Sequence, residues 1–137
     1  MREILLHGSM DEAFDQSVSF ARRLAESFEA RLHVVYTVED PLSAGWTSEV
    51  SAERLPEVHQ AMEAEARERL ARLIPLADQE RLGVEIVLRT GPAVQEILSY
   101  AKDYAIDLAI VQARGEGGTD LARGLLDHAR CAVLVLR

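Results

Sequence analysis

Apolar residues along this chain follow two alternating rhythms. Ile4-Leu5-Leu6 is an unbroken apolar run that stops at His7-Gly8-Ser9, as a strand buried on both faces does. Asp11 is placed to cap a following helix, in which Phe14, Val18, Ala21, Leu24, Ala25 and Phe28 recur at helical spacing. Leu32 to Val38 is β-branched and apolar, a second strand, followed by a loop with Pro41, Gly45 and Trp46. Helical spacing returns from about Pro56 to about Glu80, with Val58, Met62, Ala66, Leu70, Leu73 and Ala77 on one face. Pro56 suits its first turn, and Pro75 should kink or end it. Gly83 breaks the pattern, and Val84 to Arg89 reads as a third strand. Thr90-Gly91-Pro92 then turns into a helix carrying Val94, Ile97, Leu98 and Ala101. Leu108 to Val111 is a fourth strand. Leu121, Ala122, Leu125 and Leu126 mark a short helix, and Ala132 to Leu136 is a fifth strand.

Strands alternating with helices predict a parallel sheet with helices on both faces. Neither a repeat nor a linker interrupts the pattern, so residues 1–137 are read as one domain. Aromatic residues make up only 5% of the chain, so Leu, Ile, Val and Ala must fill the core. The fifth strand is apolar throughout. At a sheet edge its backbone would invite pairing with a second copy.

Charge narrows the choice of partners. A net charge of −8 repels phosphate backbones and argues against nucleic acid. No apolar run approaches the roughly 20 residues that span a bilayer. Met1-Arg-Glu leads straight into a strand, and the single cysteine, Cys131, has no internal partner. The expectation is a cytoplasmic protein with no membrane partner. His7, His33, His59 and His128 lack metal-ligand spacing, so no metal site is expected. Neither a Gly-x-Ser-x-Gly elbow nor a Gly-x-x-x-x-Gly-Lys-Ser/Thr loop is present. The carboxylates and lysine of a phosphorelay receiver are replaced by His7-Gly8, Arg89-Thr90 and Arg137. No positioned general base stands out, so no catalytic residue is assigned.

Several segments in order resemble the universal stress protein (UspA) family. Ile4 to Ser9 resembles its opening strand and Asp-Gly-Ser turn, and Ala30 to Val38 its second strand. Glu63 to Leu70 is similar to its long second helix, and Thr90 to Leu98 to its Gly-x-Pro-Ala-x-x-Ile turn and third helix. Asp107 to Val111 is similar to its Ala-Asp-Leu-Ile-Val strand, and His128 to Val135 to its His-Ala-Pro-Cys-Pro-Val-Leu-Val ending. The resemblance implies a three-layer α/β sandwich, Rossmann-like and akin to the adenine nucleotide alpha hydrolases. Its five parallel strands would run in the order 3-2-1-4-5. It implies a homodimer through the fifth strand, Ala132, Val133, Leu134, Val135 and Leu136, with protein partners also open. For some members it implies ATP or AMP, with Mg, between the first and fourth strands.

The chain departs from that family where a nucleotide would be gripped. His7 stands in place of an Asp, and Gln112 in place of the first glycine of the phosphate motif. Gly115 matches the second glycine, but Gly118-Thr119 follows after two residues where nine are expected. Adenine and ribose would lie near His7 and Val38, with phosphates at Gly115 to Thr119. Glycines also serve plain turns, and Arg114 and Arg123 also serve as solvated surface. Two readings follow: a dimeric stress-response module with weak or no ATP binding, and an adenine-nucleotide (ATP or AMP)-binding sensor with at most slow ATP hydrolysis.

Overall fold

Each apolar rhythm has become an element of one layered structure. The computed structural model describes residues 1–38, 48–114 and 117–137, and of residues 48–55 the backbone alone. In chain order the elements are β1 (Glu3–His7), α1 (Ala13–Phe28), β2 (Arg31–Val38), α2 (Ser48–Leu73), α3 (Leu76–Leu82), β3 (Glu85–Thr90), α4 (Ala93–Asp103), β4 (Leu108–Gln112), α5 (Gly118–His128) and β5 (Ala132–Leu136). The strands form one five-stranded parallel sheet in the order β3-β2-β1-β4-β5, the expected arrangement. Pro41, Gly45, Trp46 and Gly115 lie outside the described residues.

Period-two alternation in β1, β2 and β4 divides the core into two layers. Ile4, Leu6, Leu32, Val34, Tyr36 and Ile110 face α1, α2 and α3, and pack on Phe14, Val18, Leu70 and Ile74. Leu5, Val35, Ala109 and Val111 face α4 and α5, and pack on Ile97, Tyr100, Leu121 and Leu125. Fully burying one such aliphatic side chain contributes about 1.5–3 kcal/mol, and the central strands do so on both faces. The sheet therefore holds its strand ends, and the loops leaving them, in fixed register.

Local signals differ from the expectation in four places. Asp11 does not cap α1: Glu12 already has helical angles (φ −66°, ψ −28°), and the Asp11 carbonyl accepts the Phe14 N–H at 3.3 Å. The α2 helix begins before Pro56, which sits inside it, since a proline removes one helical bond without having to end the helix. Pro75 ends the pattern as expected, but a separate helix, α3, follows with Pro75 as its N-cap. That break turns Ala77 out to solvent and puts Ile74 in the core instead. β3 and β5 lie at the two sheet edges.

Candidate functional site

The carboxyl ends of β1, β2 and β4 meet where the sheet reverses direction, the place at which open α/β sheets form a ligand crevice. His7 ends β1 and pairs in register with Val35. Alternation with Leu5 puts it on the α4 and α5 face. Its Nε2 shares a 3.1 Å hydrogen bond with the Thr37 hydroxyl. Burial pulls its pKa down to about 4, so the ring is neutral at physiological pH. A neutral imidazole offers one acceptor, where a carboxylate offers several. Val38 ends β2 at the same sheet edge, and its carbonyl accepts the Gly91 N–H at 2.8 Å.

The turn after β1 is held from two sides. Gly8 is buried against Tyr36, and a Cβ on it would lie 2.6 Å from that ring, so only glycine fits. From α2, Arg69 donates to the carbonyls of Met10 and Asp11, the latter at 2.6 Å, and to Asp15 Oδ1 at 3.3 Å. This guanidinium does the ordering work expected of an Asp11 cap. Sequence reading missed Arg69, because nothing in the helical pattern separates it from its solvated neighbours.

Gln112 ends β4 with its side chain turned into the α1 layer, only 8% exposed. Its amide Nε2 donates to the Ser17 hydroxyl and to the Ala13 carbonyl, the latter at 3.2 Å. The amide therefore does not project over the strand end. Ser17 was also missed, although a polar residue one turn after Phe14 on an apolar helix face was the available signal.

Beyond β4 the chain reaches α5 through Gly117, whose φ of +76° favours glycine. Gly118 is buried, and a Cβ there would lie 3.0 Å from the Gln112 carbonyl oxygen. Both glycines thus have a local backbone reason to be there. The Thr119 hydroxyl turns back toward the Ala113 carbonyl at 3.5 Å, and among the described residues no side chain caps the first turn of α5, which carries Asp120. Arg114 borders a hollow of about 170 Å³ with Ser17 and Gln112. Arg123 borders another, of about 440 Å³, with Thr119. His7, Val38, Gln112, Gly118 and Thr119 therefore share one sheet edge, but His7 and Gln112 point to opposite faces. Among the described residues no cluster of three or more His, Cys, Asp or Glu is arranged to hold a metal, and no helix is long and apolar enough to cross a membrane.

Of the expected interface residues, Ala132 is exposed and Val133 to Leu136 are half-buried on the β5 edge. Cys131 leads into that strand, and burial raises its thiol pKa.

Comparison with known proteins gives one consistent answer. The universal stress protein family profile matches residues 6–137. Universal stress protein A homolog 2 of Coxiella burnetii is 29% identical over 143 residues, spanning 99% of this chain and 94% of that protein. The solved structure of universal stress protein UspA from Lactobacillus plantarum superposes with a TM-score of 0.80 at 22% identity, covering 99% of this chain and 97% of that one. A universal stress protein from Archaeoglobus fulgidus, solved in complex with dAMP, superposes at 0.60 with 15% identity, covering 100% and 98%.

Proposed function

The chain belongs to the universal stress protein family, and from that premise we propose that it is a small, single-domain, homodimeric stress-response module with weak or no ATP binding. One observation carries this reading. At the two positions where it departs from the family's nucleotide motif, each side chain is already tied into the fold through one nitrogen. His7 is neutral and bonded to Thr37, and Gln112 is bonded to Ser17 and Ala13. The crevice offers no carboxylate at the end of β1, and Gly117 and Gly118 are accounted for by the turn they build. The turn between Gly115 and Gly118 is also too short to arch over a triphosphate. Dimerisation is supported by β5, whose half-buried apolar face and open backbone lie at the sheet edge.

A second reading has its own support. The uncapped first turn of α5 presents backbone N–H groups at the crevice, and the Archaeoglobus relative was solved with dAMP. Under it, His7 and Val38 take the base and ribose, and Thr119 with the α5 turn takes a single phosphate of AMP, or of ATP with Mg.

Calorimetric titration of the purified protein with MgATP and with AMP decides between them, after denaturation to detect any co-purified nucleotide. No binding at millimolar concentration supports the first reading. Micromolar binding that is lost in Thr119→Asp, an exposed position where an added carboxylate is tolerated by the helix start, establishes the second. A monomeric mass in solution at micromolar concentration removes the dimer.

A further inference from the structure

A cavity of about 430 Å³ opens at the other edge of the sheet, where α4 and α5 end and β4 and β5 begin. Its lining includes none of His7, Val38, Gln112, Gly118 and Thr119. Its apolar surface comes from Leu98 and Ala101 of α4 and from Ile106, which is 6% exposed. Lys102, His128 and Arg130 stand around this surface. A concave apolar site with a few convergent polar groups, in this size range, is the usual form of a small-ligand pocket.

Two cations at the rim are not taken up by ion pairs. The chain has 23 acidic residues against 15 basic ones, and Arg22, Arg31, Arg67, Arg69 and Arg81 each hold a carboxylate. Among the described residues, Lys102 and Arg130 hold none. Lys102 and His128 lie in the last turns of α4 and α5, where cations offset the helix dipole. Arg130 lies beyond α5 and has no such local role. Asp107, the acidic neighbour of Cys131, is engaged elsewhere: its carboxylate accepts the N–H groups of Arg2 and Glu3 at 2.8 and 2.9 Å. Cys131 lines the cavity as an un-ionised thiol and so does not repel an anion.

We propose that this cavity binds a small organic monocarboxylate, with its apolar body against Leu98, Ala101 and Ile106 and its carboxylate on Arg130 and Lys102. An inorganic anion would leave the apolar surface uncovered, and a neutral apolar molecule would leave both cations unmatched.

The sole cysteine gives the experiment a built-in reporter. The full-length ¹⁵N-labelled protein is titrated with octanoate, and with 1-octanol and inorganic phosphate as controls. The expected result is saturable shifts of the amides of residues 101–106 and 128–131 with octanoate, and slower alkylation of Cys131 by N-ethylmaleimide at saturation. Arg130→Gln, at an exposed position, should weaken octanoate about 10-fold and leave the thermal midpoint unchanged. The proposal is overturned by no shift at 10 mM octanoate, by octanol binding as tightly as octanoate, by phosphate moving the same amides equally, or by unchanged octanoate affinity in both Arg130→Gln and Lys102→Gln.

Discussion

Replacing Tyr100 with Phe tests whether a buried polar chain fastens α4 to the sheet. His33 is 1% exposed on β2, and its Nε2 lies 2.8 Å from a Glu3 carboxylate oxygen of β1. Its Nδ1 lies 2.7 Å from the Tyr100 hydroxyl of α4. Burial pushes the Tyr100 pKa up to about 12, so the hydroxyl keeps its proton. The carboxylate can only accept, so Nε2 carries hydrogen, and Nδ1 has the Tyr100 hydroxyl as its hydrogen-bond partner. Phe keeps the ring, its 4.2 Å stack on Tyr104 and its edge contact with His33, and opens no cavity of consequence. What is lost is one buried hydrogen bond. Glu85 Oε2 lies 3.9 Å from Nδ1, too far to replace that bond. An unsatisfied buried ring nitrogen costs about 1–3 kcal/mol. Tyr104→Phe is the control, because Tyr104 is 49% exposed, and its expected change is within about 0.5 kcal/mol. Urea unfolding followed by circular dichroism measures both variants. A Tyr100→Phe midpoint that gives less than about 0.5 kcal/mol of loss, with the urea slope unchanged, refutes the reasoning.

Three further changes probe the crevice. His7 titrates near 6.5 when unfolded and near about 4 in the fold, so between those values the unfolded chain binds the extra proton. Stability is therefore kept above that window and falls as pH drops through it, by on the order of 2–3 kcal/mol once partial solvent access is allowed for. His7→Gln should flatten the fall between pH 7 and pH 4, and parallel unfolding curves for the two proteins would show that His7 contributes nothing to it. Gly8→Ala puts a Cβ 2.6 Å from the Tyr36 ring and should cost about 1–3 kcal/mol by urea unfolding; a neutral effect would mean the turn relaxes freely. Ser17→Ala leaves Gln112 its 3.2 Å bond to the Ala13 carbonyl and should cost about 1 kcal/mol, against about 3 kcal/mol or more if Ser17 were its sole anchor.

Most of the fold was readable in the chain because burial leaves a periodic signature. Ala132 to Leu136 was bounded correctly, and β1, β2, β3 and β4 to within two residues at either end, since strands buried on both faces are continuous apolar runs. Helix ends were harder. The start of α1 is ordered by Arg69, 54 positions from Asp15, and the interruption at Pro75 creates a helix whose pattern alone reads as a continuation of α2. Such decisions rest on contacts between distant segments, which local propensity does not encode.

The crevice shows the same limit more sharply. The sequence brings His7, Val38, Gln112, Gly118 and Thr119 to one edge through the strand order, which only the family resemblance supplied. It does not say which way each side chain turns. Gln112 falls on the α1 face by alternation with Ile110, while His7 falls on the opposite face by alternation with Leu5. A one-residue slip in either strand would reverse its side chain. Register therefore decides that the Gln112 amide closes onto Ser17 and that the His7 ring closes onto Thr37. On the proposed reading, a nucleotide that used His7 Nε2 or the Gln112 amide N–H would first displace a hydrogen bond the protein already makes, a cost that a solvated carboxylate at the end of β1 would not carry.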